Sequence, residues 1–174
     1  MSKKQIVKQH VVSALVENRA GTLSRVSGLF SRRGFNIDSL TVGVTEDPSV
    51  SRMTIAVTGE ERILDQIIKQ LGKLIDVIAV RPLENGCLRR EIMLVKTGIN
   101  EEKNRQAILE IAGIFRARIV DVSQTTITVE ATGNTEKLNG LLLLLRPYGI
   151  LELARTGLAA LERGANVLSV DNEK

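Results

Sequence analysis

The segment HVVSALVENRAGTLSRVSGLFSRRGFNI, residues 10–37, contains the patterns of a strand, a loop and a helix in immediate succession. The aliphatic, largely β-branched run Val11–Val16 is typical of a strand, and the polar stretch Asn18–Gly21 interrupts it. Apolar residues then recur with helical spacing at Leu23, Val26, Leu29 and Phe30. The pattern therefore predicts a helix that begins at Gly21 or Thr22 and ends at Gly34.

The residues after this helix continue in an order that is typical of a ferredoxin-like domain. Residues 35–45 and an alternating run at Met53, Ile55 and Val57 predict two strands joined by a turn at 47–49. Thr58 and Glu61 resemble a capping box at the start of an amphipathic helix that extends toward Leu74. A fourth strand over 76–81 ends at Pro82, which completes a βαββαβ unit.

The same order of elements repeats after about 80 residues, which indicates a second domain. The second set comprises strands at 92–95, 117–122, 126–131 and 150–154 and a helix at 136–146. It also includes a helix that Asn100 could cap and that carries Ala107, Ile108, Ile111, Ala112 and Phe115. We therefore predict an α+β protein with two tandem ferredoxin-like βαββαβ domains, over residues 1–82 and 91–174, joined by a linker over 83–90. The tail from about Ala159 is expected to be weakly ordered or to depend on a partner.

Composition argues for a cytoplasmic protein with no affinity for membranes or nucleic acid. The 174 residues carry a formal charge of +4, spread along the chain, and contain three Phe, one Tyr and no Trp. A single cysteine, Cys87, excludes an internal disulfide framework and fits a reducing compartment. No apolar run approaches the length of a membrane span or of a signal peptide's hydrophobic region.

Catalytic patterns are absent from the sequence, whereas one loop has the features of a ligand site. His10 is the only histidine, Cys87 has no histidine partner at a suggestive position, and no glycine-rich phosphate loop occurs, so we expect no catalytic residue and no bound metal. Backbone N–H groups at the start of a helix can bind a carboxylate, and Gly21 removes the Cβ that would keep a ligand away. Asn18 and Asn36 could each contribute an amide side chain to such a pocket. Alternatively, Asn18 could simply belong to a turn, and Asn36 could simply be the residue at which a strand begins.

Residues 16–26 (VENRAGTLSRV) and 28–42 (GLFSRRGFNIDSLTV) together resemble the ACT domain of acetolactate synthase small subunits. The likeness continues through 47–54 (DPSVSRMT), 69–71 (KQL), 74–77 (LIDV) and 90–96 (REIMLVK). It also includes 113–117 (GIFRA) and 119–122 (IVDV), and therefore spans both predicted domains.

This resemblance implies a regulatory subunit that has no catalytic site of its own. Its expected partner is the large catalytic subunit, which carries thiamine diphosphate, Mg²⁺ and FAD and begins branched-chain amino-acid synthesis. The small subunit is expected to activate that partner and to confer inhibition by valine or related amino acids. The resemblance further implies a homodimer through the ACT domains, in which the second domain serves activation. The effector-contacting residues that carry over to this chain are Asn18, Gly21, Leu23, Asn36 and Ile37.

Two other classes of protein share the βαββαβ order. An RNA-recognition motif would need aromatic side chains on its third strand, and residues 51–57 (SRMTIAV) contain none. A free-standing ACT regulator of transcription or of another biosynthetic enzyme remains an alternative, which the identity of a co-purifying partner would test.

Overall fold

The computed structural model describes residues 7–99 and 101–171. The chain divides into two compact units, one formed by Met1–Leu88 together with Leu158–Lys174 and the other by Arg89–Gly157. Each unit contains an antiparallel sheet and two helices. The helices pack against one face of their sheet, as the amphipathic patterns predict.

The first unit follows the predicted βαββαβ order. Its elements are β1 (Lys8–Glu17), α1 (Thr22–Arg33), β2 (Ser39–Val44), β3 (Val50–Gly59), α2 (Glu61–Leu71) and β4 (Val77–Leu83). The sheet order is β2-β3-β1-β4, so the first strand is central and the first helix follows it directly. Helix α1 begins at Thr22 and ends before Gly34, which has a left-handed backbone with φ +69°, as predicted.

Alternation along the central strand β1 separates the two faces of the first sheet. Val12, Ala14 and Val16 point toward α1 and α2 and form the core with the buried side chains of those helices. Val11, Ser13 and Leu15 belong to the opposite face, which we call the outer face. The core against the helices contains one aromatic pair, Phe30 and Phe35, and is otherwise aliphatic.

Two local predictions in the first unit were wrong. Strand β2 begins at Ser39 and not at Phe35, because residues 35–38 follow the helix cap before pairing with β3 begins. Thr58 does not cap α2, since β3 continues to Gly59 and the Thr58 hydroxyl donates to Asp38 Oδ2 at 2.7 Å. The helix begins at Glu61 without a side-chain cap.

The second unit repeats this architecture. Its elements are β5 (Leu88–Gly98), α3 (Glu102–Ile114), β6 (Arg118–Val122), β7 (Thr126–Gly133), α4 (Thr135–Leu145), a short 3₁₀ helix (Arg146–Tyr148) and β8 (Ile150–Arg155). The order β6-β7-β5-β8 is equivalent to that of the first unit, and the short strand Ala159–Leu161 pairs with β5 in addition. The predicted fold of two tandem ferredoxin-like domains is thereby confirmed.

A buried ion pair joins the start of β5 to β8 and α4 in the second unit. The Glu91 carboxylate accepts hydrogen bonds from Arg155 Nε and from the Thr135 hydroxyl, both at 2.5 Å. Arg155 Nη1 donates to Asn139 Oδ1 at 2.7 Å, and the side chains of Glu91 and Arg155 are 9% and 22% exposed. Removal of either charge would leave the other charge largely buried without its partner.

We therefore expect Glu91→Ala to lower the free energy of unfolding of the second unit by about 3 kcal/mol, as is typical of a broken buried pair. The measurement is thermal or urea unfolding of the full chain. The matched control is Glu152→Ala, which breaks the exposed Lys96–Glu152 pair at 3.6 Å and should cost less than about 1 kcal/mol. Equal costs for the two substitutions would contradict a stabilising role for the buried pair.

The C-terminal residues differ most from the prediction. Residues 158–171, which we call the C-terminal strap, were expected to be weakly ordered but pack on the outer face of the first sheet. Leu158 and Ala160, in and beside the short strand β9 (Ala159–Leu161), lie in a buried cluster with Val11. Leu168 is buried against Leu15. Alternation along β1 therefore explains how both faces of this strand become buried.

Hydrogen bonds hold the strap along its length. The Leu158 N–H donates to Ser39 Oγ at 2.8 Å, and Arg163 Nε donates to the Gly86 carbonyl at 2.8 Å. Arg52 Nη2 donates to the Leu168 carbonyl at 3.3 Å. The strap thus belongs to the first unit, although it follows the second unit in sequence.

The expected domain boundaries shift accordingly. The connection between the sheets is shorter than 83–90, because β4 extends to Leu83 and β5 begins at Leu88. The second unit ends at Gly157 and not at residue 174, since the strap packs on the first sheet. Within the residues that the structure describes, no helix is long and apolar enough to cross a membrane.

Candidate functional site

The loop between β1 and α1 leaves several backbone N–H groups without acceptors. Gly21, at the N-cap, has a left-handed backbone with φ +87°, a conformation that favours glycine. Its carbonyl accepts from the Arg25 N–H at 3.0 Å, which starts the helix. The N–H groups of Gly21, Leu23 and Ser24 have no hydrogen-bond acceptor among the described residues. Such groups, with the positive end of the helix dipole, attract an anion.

Asn18 fixes this loop to the turn between β2 and β3. Its Nδ2 donates to the Pro48 carbonyl at 2.8 Å, and its backbone N–H donates to the Ser49 carbonyl at 2.7 Å. The side-chain oxygen of Asn18 is exposed and has no partner within the described part of the chain. It remains available to a ligand that donates a hydrogen bond, such as an ammonium group.

A charged cluster lies directly beside Gly21. The buried Asp76 side chain accepts from Arg25 through both of its oxygens and pairs with Arg19 Nε at 3.3 Å. The hydrogen bond from Arg25 is the main reason that the pKa of Asp76 is lower than usual, so this carboxylate is charged at neutral pH. Arg19 also pairs with Glu17. The carboxylates of Glu17 and Asp76 thus hold two guanidinium groups at the start of α1.

Arg25 also determines the space above Gly21. A Cβ added to Gly21 would lie 3.1 Å from Arg25 Nη1, so the guanidinium covers the glycine closely. The nearby Thr22 hydroxyl is buried and has no hydrogen-bond partner among the residues described. Backbone N–H groups and a guanidinium therefore lie together at the start of α1, a combination that suits a small carboxylate.

The other residues carried over from the resemblance are placed differently. Leu23 lies on the first turn of α1, near the loop, and is 46% exposed. Asn36 is exposed beyond the opposite end of α1, where its Nδ2 donates to Asp38 Oδ1 at 3.3 Å. Ile37 is partly buried and packs against the core of the first unit. Since α1 spans 12 residues, about 18 Å of helix separates Gly21 from Asn36 and Ile37 in one chain.

Arg25 and Asp76 were missed by the sequence interpretation. Its spacing of four residues from Gly21 places the Arg25 side chain back over that glycine. Asp76 precedes β4, and the antiparallel pairing of β4 with β1 brings it to the end of β1, where its carbonyl accepts from the Glu17 N–H at 2.9 Å. The helical spacing could have identified Arg25, whereas Asp76 required the strand order.

Other chemically versatile residues lie outside this loop. His10 is buried on β1, where its Nε2 donates to the Gly59 carbonyl at 3.1 Å. Cys87 is buried in the cluster beneath the strap. The residues that the structure describes contain no group of three or more His, Cys, Asp or Glu side chains that could hold a metal ion.

The outer face of the first sheet also bears on the RNA-binding alternative. RNA-recognition motifs expose aromatic side chains on the corresponding face and stack bases on them. Here the C-terminal strap covers much of that face. The side chains on this face of β1 and β3 include Ser13, Arg52 and Thr54, and no aromatic ring is among these three. The first unit therefore lacks the surface that such a function requires.

Comparison with known proteins defines the class of the first unit and then the family of the chain. Residues 12–79 match the family model described as an AHAS small subunit-like ACT domain, which makes this unit an ACT domain. Residues 90–164 match the model described as the small subunit of acetolactate synthase. Each predicted domain thus matches a model described as part of, or like, an enzyme's small subunit.

Full-length relatives agree with these matches. A probable acetolactate synthase small subunit from Methanothermobacter thermautotrophicus is 52% identical over 91% of this chain and 95% of its own length. The acetolactate synthase small subunit of Mycolicibacterium smegmatis is 51% identical over 89% of this chain and 91% of its own length. The crystal structure of the small subunit from Thermotoga maritima superposes with a TM-score of 0.86 at 39% identity, covering 92% of this chain and 99% of that one. The chain belongs to the family of acetolactate synthase small subunits.

Proposed function

We propose that this chain is the regulatory subunit that activates a thiamine-diphosphate-dependent catalytic subunit and makes it sensitive to feedback inhibition by valine or a related branched-chain amino acid. Family membership supports the pairing with a large subunit, which would supply thiamine diphosphate, Mg²⁺ and FAD. Such a complex catalyses acetolactate formation at the entry to branched-chain amino-acid synthesis.

The start of α1 is the observation that carries the proposed effector site. The effector's carboxylate would bind the unpaired N–H groups of Gly21, Leu23 and Ser24, close to the Arg25 guanidinium. Its ammonium group would donate to Asn18 Oδ1. Arg19 and Arg25 are already paired with carboxylates, so the cluster is ordered before the ligand arrives.

The complete site would lie between two copies, as the resemblance to this family implies, and the geometry of one chain supports this placement. Asn18, Gly21 and Leu23 would come from one protomer, whereas Asn36 and Ile37 would come from the second copy, because α1 keeps them apart within one chain. The effector would then inhibit by stabilising one dimer arrangement over another, through its differential affinity for the two states. We assign sensing and dimerisation to the ACT domain and activation of the large subunit to the second domain.

Asn18→Ala is expected to weaken inhibition of the reconstituted enzyme about 10- to 150-fold, since it removes a hydrogen bond to a charged group and the loop's bond to Pro48. The measurement is a valine titration of acetolactate formation with purified large subunit, and this chain alone provides the blank. Activation at zero valine should stay within about twofold, because Asn18 is exposed and supports no core contact.

The matched control for this substitution is Asn85→Ala, in the exposed turn between β4 and β5, at the opposite end of the first sheet from Asn18. It should leave both activation and inhibition unchanged. If valine inhibited the Asn18→Ala enzyme as strongly as the wild-type enzyme, the effector site would have to lie elsewhere. Failure of the wild-type chain to activate the large subunit at all would refute the regulatory assignment itself.

A further inference from the structure

The C-terminal strap encloses one side of a cleft on the outer face of the ACT sheet. The cleft has a volume of about 570 Å³, within the usual range for small-molecule sites. One wall comes from the strap at residues 167–171 and the other from the turn between β2 and β3. Its lining includes apolar side chains (Leu15, Val50, Leu168) and charged ones (Glu46, Arg52, Asp171).

Arg52 is the group in this cleft that most requires explanation. Its guanidinium is partly buried and donates to Ser13 Oγ at 2.7 Å and to the Leu168 carbonyl at 3.3 Å. It forms no salt bridge with any described residue, and two hydrogen bonds leave part of its donor capacity unused. Burial is the main cause that lowers the pKa of Arg52, although the guanidinium stays protonated.

A second guanidinium increases the positive charge at this place. Arg81, on β4, is paired across the sheet with Ser13, so both arginines lie around the same buried hydroxyl. Arg81 Nε is buried and has no hydrogen-bond partner within the described chain. The Glu46 carboxylate interacts electrostatically with Arg52, but neither arginine forms a salt bridge with a described residue. Partly buried cations with unused donors favour an additional anion, because unsatisfied donors are costly away from water.

The remaining lining fits the other parts of a small zwitterion. Glu46 and Asp171 are exposed carboxylates at the rim, and both could accept hydrogen bonds from an ammonium group. Asp47, next to them, has a lowered pKa because Ser49 donates to its carboxylate, so the rim includes a further negative charge. Leu15, Val50 and Leu168 are each less than a tenth exposed and offer an apolar wall.

We propose that this cleft is a second binding site for a free α-amino acid with a small aliphatic side chain, distinct from the loop at the start of α1. Its carboxylate binds Arg52, its ammonium group binds the acidic rim, and its side chain contacts Leu15, Val50 and Leu168. Since the strap supplies one wall, the bound amino acid bridges the strap and the sheet. Occupancy therefore stabilises the docked strap.

The test is equilibrium binding of L-valine to the full-length chain by calorimetry, combined with amide hydrogen exchange of peptides covering residues 167–171. We expect two valine sites per chain and slower exchange of these peptides on valine addition. Gly21→Asp should remove one site and keep the protection of the strap. Arg52→Gln should weaken the other site about 10- to 150-fold and remove that protection.

Glu46→Gln provides a second variant that does not disturb the strap, because Glu46 is exposed and forms no described salt bridge. It should weaken valine binding at the cleft several-fold without lowering thermal stability. If the role of Arg52 were purely structural, Arg52→Gln would lower stability, and the wild type and both cleft variants would each show only the loop site. A single wild-type site that Gly21→Asp removes, or unaltered valine binding by both cleft variants, would overturn the proposal. A single wild-type site that Arg52→Gln weakens and Gly21→Asp leaves unchanged would refute the loop site and leave the cleft standing.

Discussion

Gly21→Asp is expected to abolish valine inhibition of the reconstituted enzyme, with at least about a 100-fold rise in the valine concentration required. The new Cβ would lie 3.1 Å from Arg25 Nη1, and its carboxylate would occupy the space where the effector's carboxylate should bind. It would also compete with Asp76 for the Arg25 guanidinium. Activation by the variant should remain within about threefold, because aspartate tolerates a left-handed backbone better than most residues. The measurement is acetolactate formation over a valine titration.

Two further variants separate charge from strain in this prediction. Gly21→Ala adds the same Cβ without the charge, so we expect partial loss of inhibition. Gly164→Asp places the same side chain on another left-handed glycine, with φ +70° and open space around it, and should leave inhibition intact. A Gly21→Asp enzyme that valine still inhibits normally would refute the effector site. Equal loss of inhibition in Gly164→Asp would show that strain or charge in general is responsible.

The order of elements could be predicted from sequence because each element carries its own local signal. Helix α1 has both its apolar spacing and its terminal glycines within 14 residues, from Gly21 to Gly34, and the structure confirms both ends. Strand β3 alternates clearly through Met53, Ile55 and Val57. A short local motif predicted less well, because the capping-box pattern at Thr58 lies in strand β3, which continues to Gly59, and the Thr58 hydroxyl bonds to Asp38 instead.

The strap could not be predicted because its contacts are distant in sequence. Arg52 bonds to the Leu168 carbonyl across 116 residues, and β9 is only three residues long. Its buried side chains, Leu158, Ala160 and Leu168, follow no regular period that a sequence pattern would show.

Removal of residues 158–174 is expected to destabilise the ACT domain substantially. It would expose apolar side chains of the outer face, including Val11, Leu15 and Ala79, and remove two buried leucines from the strap. Each buried leucine contributes about 1.5–3 kcal/mol, part of which offsets the entropy lost on ordering the strap. We expect a net loss of about 2 kcal/mol, or roughly a 10 °C fall in the midpoint of thermal unfolding. An ACT fragment that ends at Pro82 should be destabilised for the same reason.

Substitutions at two neighbouring residues, Leu168 and Val167, test whether the strap stabilises the sheet through its buried side chains. Leu168 is 8% exposed and packs against Leu15, Val50 and Ala79, so Leu168→Ala should cost about 2 kcal/mol and speed amide exchange in β1. Val167, its neighbour, is 66% exposed, and Val167→Ala should change the free energy of unfolding by less than about 0.5 kcal/mol. Equal effects of these substitutions, or a truncated chain as stable as the full one, would mean that the strap does not stabilise the sheet it covers. The difference between the two variants is informative because burial, and not position along the chain, is what separates them.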